Sequence, residues 1–386
     1  MPHYDVIVIG AGPAGLSFGA SIHKKKVLLA EKKKVPGYPV KSSAVTFSST
    51  ISRFRLADAV CHGSNRIRIF LDSGWEKEFT YQDPVLYTLD FVKMCRILRE
   101  RAEKNCLVQT GIPVEKVLVE EGEVKGIFIR GEFHTADLYV DASGEARVLL
   151  KHLAPRYYRK QWLVCGIEYE MERLVFDSGR FDFFFGNRII PEGYAWVFPT
   201  GNRSARIGLG KLIPGRGGRK PAHLKERLSA FLASDICPVA FPEGEQIREV
   251  HKGIMTYYKP LSTLYFKNTF IIGDAASHSS CLLGEGIRFC LISGQQLAEM
   301  LNVQSPARTA RQFERAMKDM TRYFAQFVWF LRGFVHGPNR MIHALVKALS
   351  HGNAARLERL MKSCFRPADF IRLPLQVMKN LMVFWR

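Results

Sequence analysis

Long apolar runs, paired cysteines and internal repeats are all missing from this sequence of 386 residues. No uninterrupted apolar run approaches the roughly 18 residues that a membrane-spanning helix needs, so no such helix is predicted. The eight cysteines form no Cys-x-x-Cys pair and show no metal-ligand spacing, which excludes a predicted metal site or disulfide framework. Scattered free thiols are typical of a reducing compartment. The lack of repeats and of low-complexity segments argues against a solenoid or a disordered chain.

Acidic residues are also scarce. There are 36 Asp and Glu residues against 56 Lys and Arg residues, a formal net charge of +20. Such an excess favours nucleic acid, an anionic membrane surface or an acidic ligand. No nucleic-acid recognition module accompanies the charge, so we expect no nucleic-acid partner. A strand predicted from about residue 4 leaves no room for a leader, and we expect a cytoplasmic protein that lies peripherally on the inner membrane face.

The charge is concentrated in residues 305–386, where 15 basic residues stand against 4 acidic ones. This tail is predicted to be helical, with one apolar helix face that steps by three and four residues through Phe313, Met317, Met320, Phe324, Phe327 and Leu331. Two interpretations stay open. The tail is either a helical region that binds an anionic membrane or a cap whose basic face is solvated.

The N-terminal segment has the pattern of a dinucleotide-binding strand, turn and helix. Val6–Ile9 is a β-branched run typical of a strand buried on both faces, and the glycines after it permit a tight turn and close approach of a pyrophosphate. A second strand, Val27–Ala30, ends at an acidic residue 21 positions after the first glycine, where a carboxylate meets the ribose hydroxyls of adenosine. The predicted cofactor-binding residues here are Gly10, Gly12, Ala14, Gly15, Glu31 and Lys32.

A second glycine-rich turn follows a predicted strand at 265–272, and a helix is predicted from about residue 286 to Leu301. An NAD-only enzyme does not need this second turn, whereas FAD is long enough to reach both. An aspartate at the turn suits the ribityl hydroxyls, unless it only caps the next helix, and the helix N-terminus suits the O2/N1 edge of the flavin. FAD is therefore the predicted cofactor, with further ligands Gly273, Asp274, Gly284, Gly286 and Ile287.

The middle of the chain is predicted to be an antiparallel sheet rich in aromatic residues. Its strands are predicted at 162–171, 180–190, 194–199 and 204–212, followed by a break at Pro214–Gly218 and a helix over 221–233. Three aromatic side chains alternate onto one face of the third strand, where they line an apolar slot or form the core of the sheet: Tyr194, Trp196 and Phe198.

These segments predict an α/β fold with a Rossmann-like FAD-binding domain, an antiparallel β-sheet substrate domain and a helical C-terminal region. Residues 1–60, 84–155 and 262–304 are assigned to a discontinuous FAD-binding domain, and an amphipathic helix is predicted within it over 85–105. Residues 61–83 and 156–261 are assigned to the β-rich substrate domain, and 305–386 to the basic helical region.

Five pieces, in this order, resemble the geranylgeranyl reductase family of the p-hydroxybenzoate-hydroxylase-like flavoproteins: Gly10–Gly15, Gly37–Lys41, Asp141–Gly144, Tyr194–Pro199 and Gly273–Ala275 with Gly284–Ile287. The resemblance spans about residues 4–300, and its most specific motif is the Tyr-x-Trp-x-Phe-Pro strand. It implies an FAD-dependent oxidoreductase that reduces carbon–carbon double bonds of an isoprenoid chain by hydride transfer from reduced flavin. It also implies a substrate that is an isoprenoid lipid or a prenylated small molecule, with the chain lying beside Trp196 and Phe198.

Two loops depart from the family pattern. Ser42 stands where the family carries a cysteine near the flavin, and a serine hydroxyl supplies no thiol chemistry. Ser280–Leu283 replaces an Asn-Pro-x-Thr stretch, and its Cys281 either substitutes for the thiol or is a packed structural residue. Hydride transfer also requires a proton for the second carbon. The candidate donors are Lys41, Tyr194 and His278.

Other functions stay open at this point. One is a flavin-dependent monooxygenase or halogenase-like enzyme. Another is a carotenoid-cyclase-like flavoprotein, for which Glu168 and Glu170 are the candidate carboxylates, and a third is a flavin-retaining binding protein without turnover. No second dinucleotide motif is visible, so the electron donor is NAD(P)H or a ferredoxin.

Overall fold

The computed structural model describes residues 1–159, 162–213, 223–242, 246–257, 260–335 and 337–382. The strands are β1 (His3–Ile9), β2 (Val27–Glu31), β3 (Val45–Phe47), β4 (Val60–Ser64), β5 (Arg66–Leu71), β6 (Glu76–Thr80), β7 (Leu86–Leu89), β8 (Leu107–Thr110), β9 (Lys116–Glu120), β10 (Glu123–Ile129), β11 (Glu132–Asp141), β12 (Trp162–Glu172), β13 (Phe181–Phe185), β14 (Gly193–Gly201), β15 (Ser204–Ile213), β16 (Gln246–Tyr257), β17 (Tyr265–Phe266) and β18 (Thr269–Ile271). The helices are α1 (Pro13–Ser21), α2 (Ser48–Phe54), α3 (Phe91–Ala102), α4 (Leu150–Leu153), α5 (Pro155–Arg159), α6 (Leu224–Leu232), α7 (Ile287–Val303), α8 (Pro306–Met320), α9 (Phe324–Val335), α10 (Asn339–Leu349), α11 (Ala354–Met361) and α12 (Asp369–Met382).

The first sheet has the order β17-β18-β11-β1-β2-β8, with β10 and β9 added beside β11. Strand β1 runs parallel to both β11 and β2 and is buried on both faces, which explains its continuous apolar run. One face packs on α1, α3 and α7, and the other on the β9–β10 hairpin. Helices α1 and α7 approach so closely that a Cβ on Gly294 would lie 2.1 Å from the Ala14 carbonyl oxygen. The predicted Rossmann-like α/β fold is confirmed.

The second sheet has the order β16-β12-β15-β14-β13-β5-β6. Adjacent strands of this sheet run antiparallel, except that β13 and β5 run parallel to each other. One face packs on α6, and the other carries aromatic side chains against α10 and α11. Strand β16 pairs along the whole of β12 and lies outside the strands predicted from the sequence.

The C-terminal helices are fixed to the second sheet by a buried carboxylate. Asp72, which follows β5, accepts a hydrogen bond from Asn339 Nδ2 at 3.0 Å, and its Oδ1 lies 2.6 Å from His343 Nε2. Both partners belong to α10, so this helix is held against the edge of the sheet. Helices α9, α10 and α12 share a further apolar core with α7.

Several predicted boundaries differ from the structure. The helix predicted over 85–105 begins only at Phe91, because β7 pairs with β3 and β4 and Asp90 then caps α3 by accepting from Lys93 N at 2.8 Å. The single apolar helix face predicted across 313–331 is divided between α8 and α9. The strand predicted over 180–190 ends at Phe185, since Gly186 adopts a positive φ of 133°.

The break predicted at 214–218 lies outside the described residues, and the helix predicted over 221–233 is present as α6 in its described part. A search of the described residues for a helix with the length and apolar character to cross a bilayer finds none.

Candidate active site

A cavity of about 1130 Å³ lies between the first sheet, the aromatic face of the second sheet and the C-terminal helices. Pockets for one drug-sized ligand commonly measure about 300–1,000 Å³. The volume therefore suits an extended cofactor together with part of a second ligand. The lining changes from backbone and charged groups near Gly10 to aliphatic and aromatic side chains near α9, α10 and α11.

The glycines between β1 and α1 have different physical roles. Gly10 has a φ of 107°, and a Cβ there would lie 2.4 Å from the Ala142 carbonyl oxygen. A Cβ on Gly15 would lie 1.9 Å from the Gly10 carbonyl oxygen, so the protein's own packing requires both glycines. A Cβ on Gly12 would meet no atom within 4 Å, and Gly12 lines the cavity together with Ala14. The open space at Gly12, beside the N-terminus of α1, fits an anionic group.

Glu31 ends β2 at the same edge of the sheet and lines the cavity. Its carboxylate accepts hydrogen bonds from Ala11 N at 2.7 Å and from Lys33 N at 2.9 Å. Lys32, Lys33 and Lys41 also line the cavity, so the carboxylate lies in basic surroundings. Burial, together with the charge of Lys41, lowers the pKa of Lys33. This end of the cavity offers both an acceptor for hydroxyls and cations for phosphate.

The turn after β18 brings a half-buried carboxyl group to the cavity. Asp274 lines it, and Cys290 Sγ donates to Asp274 Oδ1 at 3.6 Å. Burial raises the pKa of Asp274, and burial together with the Asp274 charge raises the pKa of the Cys290 thiol. Gly273 is not among the lining residues described. A Cβ added to it would lie 2.7 Å from Ala14 Cβ, so the turn packs closely on α1. The start of α7 also faces the cavity through Gly284, Gly286 and Ile287.

The aromatic residues of β14 face the cavity as their alternation predicts, since Tyr194, Trp196 and Phe198 all line it. The Trp196 and Phe198 rings stack with centroids 5.7 Å apart, and Phe183 of β13 lies against Phe198 at 5.1 Å. Helices α9, α10 and α11 contribute apolar side chains to the same end of the cavity: Leu331, Ile342, Leu345, Val346, Leu349 and Met361. This end is an apolar slot that is closed by the C-terminal region.

The structure separates the predicted proton donors. Lys41 is exposed and lines the cavity. The Tyr194 hydroxyl also reaches the cavity, but it donates to the Leu283 carbonyl oxygen at 2.7 Å, and burial raises its pKa. His278 is fully buried outside the described cavity lining, and burial lowers its pKa to about 4. A histidine that is neutral near pH 7 and lies outside the described lining is the weakest of the three candidate proton donors.

The two loops that depart from the family pattern also have defined positions. Ser42 lines the cavity, and its Oγ accepts from Ala44 N at 3.1 Å. Cys281 is buried in the core shared by α7 and the C-terminal helices, outside the described lining of the cavity. Burial raises the pKa of this thiol, which agrees with a packed structural cysteine.

Sequence reasoning named Glu168 only as a candidate carboxylate of a cyclase, and it missed the buried partners that this residue has beside the aromatic slot. The Glu168 carboxylate accepts from Trp196 Nε1 at 2.9 Å, and its other oxygen lies 2.8 Å from His251 Nδ1. All three residues line the cavity and are almost fully buried. Burial opposes a charge on His251, but the hydrogen bond and charge of Glu168, with a hydrogen bond to Glu249, outweigh it and raise the pKa of His251. Glu168 was visible in the sequence as one of three glutamates of β12, but its partner His251 lies on the unpredicted β16.

This geometry can be compared with known proteins. Residues 163–254 match the geranylgeranyl reductase catalytic domain. A digeranylgeranylglycerophospholipid reductase from Haloferax volcanii is 30% identical over 315 residues, which cover 77% of this chain and 75% of that protein. The chain belongs to the geranylgeranyl reductase family. The reductase of the same name from Methanoculleus marisnigri is 28% identical, over 77% of this chain and 76% of that protein.

Solved structures share the fold. A geranylgeranyl bacteriochlorophyll reductase-like protein from Thermoplasma acidophilum has a TM-score of 0.81, 22% identity and 99% coverage of both chains. A probable FAD-dependent monooxygenase from Pseudomonas aeruginosa has a TM-score of 0.63 and 14% identity, with 94% of this chain and 100% of that chain covered. As a member of the geranylgeranyl reductase family, the chain is a flavin-dependent oxidoreductase, and the monooxygenase alternative is not favoured.

Proposed function

We propose that this chain uses FAD to reduce carbon–carbon double bonds in a geranylgeranyl-type chain of a lipid. Similar proteins named digeranylgeranylglycerophospholipid reductases match about three quarters of its length. The observation that carries the proposal is one continuous cavity, which joins the open edge at Gly12 to the apolar slot beside Trp196 and Phe198. A dinucleotide that begins at Gly12 and extends along this cavity has its far end beside the slot.

The residues at the polar end fit FAD. Gly12 and the N-terminus of α1 would hold the pyrophosphate, beside Gly10, Ala14 and Gly15, and Glu31 would accept from the adenosine ribose with Lys32 nearby. Asp274, which follows Gly273, would accept from the ribityl chain, and Ser42 lines the same cavity. The N-terminal end of α7 would face the O2/N1 edge of the ring through Gly284, Gly286 and Ile287. Reduced flavin bound in this way supplies the hydride.

We also propose that three parts of the chain have different roles at the cavity. Residues 1–60, 84–155 and 262–304 bind the cofactor, and residues 61–83 and 156–261 provide the substrate surface. Residues 305–386 close the slot. The support is that each group contributes a different part of the cavity lining: the glycine turns, the aromatic β14 face and the apolar side chains of α9 and α10.

Saturation of a double bond also consumes a proton, and we propose His251 as its source. His251 lines the cavity next to Trp196 of the slot, and Glu168 holds its Nδ1 at 2.8 Å. Because Glu168 raises the pKa of His251, the imidazole holds its proton to higher pH than a free histidine does. Tyr194 is a weaker candidate, since its hydroxyl is committed to the Leu283 carbonyl. Lys41 is exposed at the cavity rim, where water competes for its proton.

The proposed reaction is tested by reducing the bound flavin without oxygen and then adding a detergent-solubilised geranylgeranyl lipid. We expect the flavin absorbance to return in the absence of oxygen, and the lipid to gain two hydrogen atoms for each bond reduced. The matched control is the same lipid with saturated chains, which should leave the flavin reduced. Reoxidation by oxygen alone, with no change in the mass of the unsaturated lipid, would contradict the proposal.

The cofactor assignment predicts that Asp274→Ala weakens flavin retention. A hydrogen bond to a carboxylate contributes about 1.5–3 kcal/mol, so we expect roughly 10- to 100-fold weaker binding. The ratio of flavin to protein after gel filtration measures it. Cys281→Ala, which changes a buried side chain outside the cavity, is the control and should keep its flavin. An unchanged flavin content in the Asp274 variant would remove this residue from the site.

A further inference from the structure

Helix α12 presents an apolar face that nothing in the described part of the chain covers. Its residues are spaced by three and four along the helix and each exposes 59–66% of its surface: Ile371, Leu375, Met378 and Met382. The opposite face is packed, because Leu373 and Val377 belong to the C-terminal core. Asn380 Nδ2 also donates to the Ala344 carbonyl oxygen of α10 at 3.0 Å. A contiguous exposed apolar surface of this kind commonly marks an interaction site.

Basic groups lie directly beside this apolar face. Arg372 and Lys379 are exposed on α12, and both line a depression of about 600 Å³ whose far wall contains His351 and Arg356. The Arg356 guanidinium is fixed there by donating to the Leu349 carbonyl oxygen at 3.1 Å. Every ionisable residue that lines the depression, among the residues described, is basic. The depression therefore suits an anionic group next to an apolar surface.

We propose that α12 docks on an anionic lipid bilayer, with its apolar face among the acyl chains and its basic depression on a lipid phosphate. An amphipathic helix with an apolar face and flanking Lys and Arg residues is suited to the membrane interface. With 14 residues α12 measures about 21 Å, shorter than the roughly 30 Å hydrocarbon core, so it lies along the surface. The net charge of +20 disfavours a second copy of the chain and favours anionic lipid.

This surface lies close to the apolar slot, so docking would bring the slot near the lipid substrate of the proposed reaction. The docking itself does not depend on that reaction. Helix α10 touches α12 through Ala344, and the same helix lines the apolar slot through Leu345, Val346 and Leu349. One layer of helix, about 10 Å thick, separates the proposed bilayer contact from the slot. A prenyl chain drawn from the bilayer beside α12 would travel only this short distance.

Flotation of the flavin-loaded full chain with phosphatidylcholine vesicles, with and without phosphatidylglycerol, tests the proposal. We expect binding that requires the anionic lipid. The variant I371N/L375Q/M378Q should bind at least about tenfold more weakly, because it loses the buried apolar area. The variant R372E/K379E should lose at least about 25-fold, at about fivefold for each basic residue removed. Val303→Gln changes an equally exposed apolar residue on α7 and should bind like the wild type.

Three results would overturn the docking proposal. The first is a wild-type chain that does not float with anionic vesicles, and the second is a triple variant that floats as well as the wild type. The third is a wild-type dimer in solution that dissociates in the triple variant, which would assign the apolar face to a second copy. Reduction of detergent-solubilised lipid by the variants is measured separately, so failure of the reductase proposal leaves the flotation result standing.

Discussion

Gly12→Val is expected to leave the fold intact and to weaken flavin binding strongly. Gly12 has ordinary extended backbone angles, φ −79° and ψ −176°, and a Cβ there meets no atom within 4 Å, so a side chain is sterically accepted. The same side chain points into the space that a pyrophosphate would occupy. Overpacking of a fitted site costs about 1–3 kcal/mol, which corresponds to flavin binding weakened by up to about 100-fold. Titration of the apoprotein with FAD measures this change.

The matched control is Gly15→Val, three residues away. A Cβ on Gly15 would lie 1.9 Å from the Gly10 carbonyl oxygen, so this variant is expected to lose stability whether flavin is present or not. Thermal unfolding of the two apoproteins should therefore differ strongly, with Gly12→Val close to the wild type. If Gly12→Val kept a full complement of flavin, the open edge at Gly12 would not be the dinucleotide site.

The sequence was most informative where one residue type satisfies one physical requirement. Gly10 and Gly15 must be glycine because an added Cβ would lie less than 2.5 Å from a backbone oxygen. The continuous apolar run of β1 is required because the strand is buried on both faces. The alternation of Tyr194, Trp196 and Phe198 correctly predicted which side chains share a face. These features depend on local geometry, so a linear pattern contains them.

Features that depend on distant partners were not visible in the same way. Residues 85–90 fit a helical pattern, but pairing of β7 with β3 and β4 makes Leu86–Leu89 a strand. His278 follows Asp274 closely in sequence, yet it is fully buried and lies outside the described lining of the cavity. His251 is the opposite case, since 83 positions separate it from Glu168 and only the β12–β16 pairing brings them together. A single sequence holds no signal for that contact.

His251→Gln is expected to slow reduction of the prenyl double bond by about 100-fold or more while the flavin stays bound. General acid catalysis by a positioned side chain contributes about 10²–10⁴-fold. The glutamine amide still donates to Glu168, so the buried carboxylate keeps a partner, but it has no proton to transfer. Anaerobic stopped-flow measurement of flavin reoxidation by the lipid gives the rate. A variant with the wild-type rate would show that the proton comes from elsewhere, with Lys41 the next residue to test.

The variant Glu168→Gln tests whether His251 donates the proton or has only a structural role. Glutamine keeps an oxygen that accepts from Trp196 Nε1, but it removes the charge that raises the pKa of His251. In the wild type the rate should be level while His251 is protonated and should fall as pH rises through its raised pKa. In the variant, His251 keeps Glu249 and Glu170 at 3.4 and 3.9 Å from its Nε2 but loses the charge of Glu168, so its pKa falls and the loss of rate should begin at lower pH. A purely structural contact would lower the rate equally at every pH, and an alkaline limb that stays in place would exclude His251 as the donor.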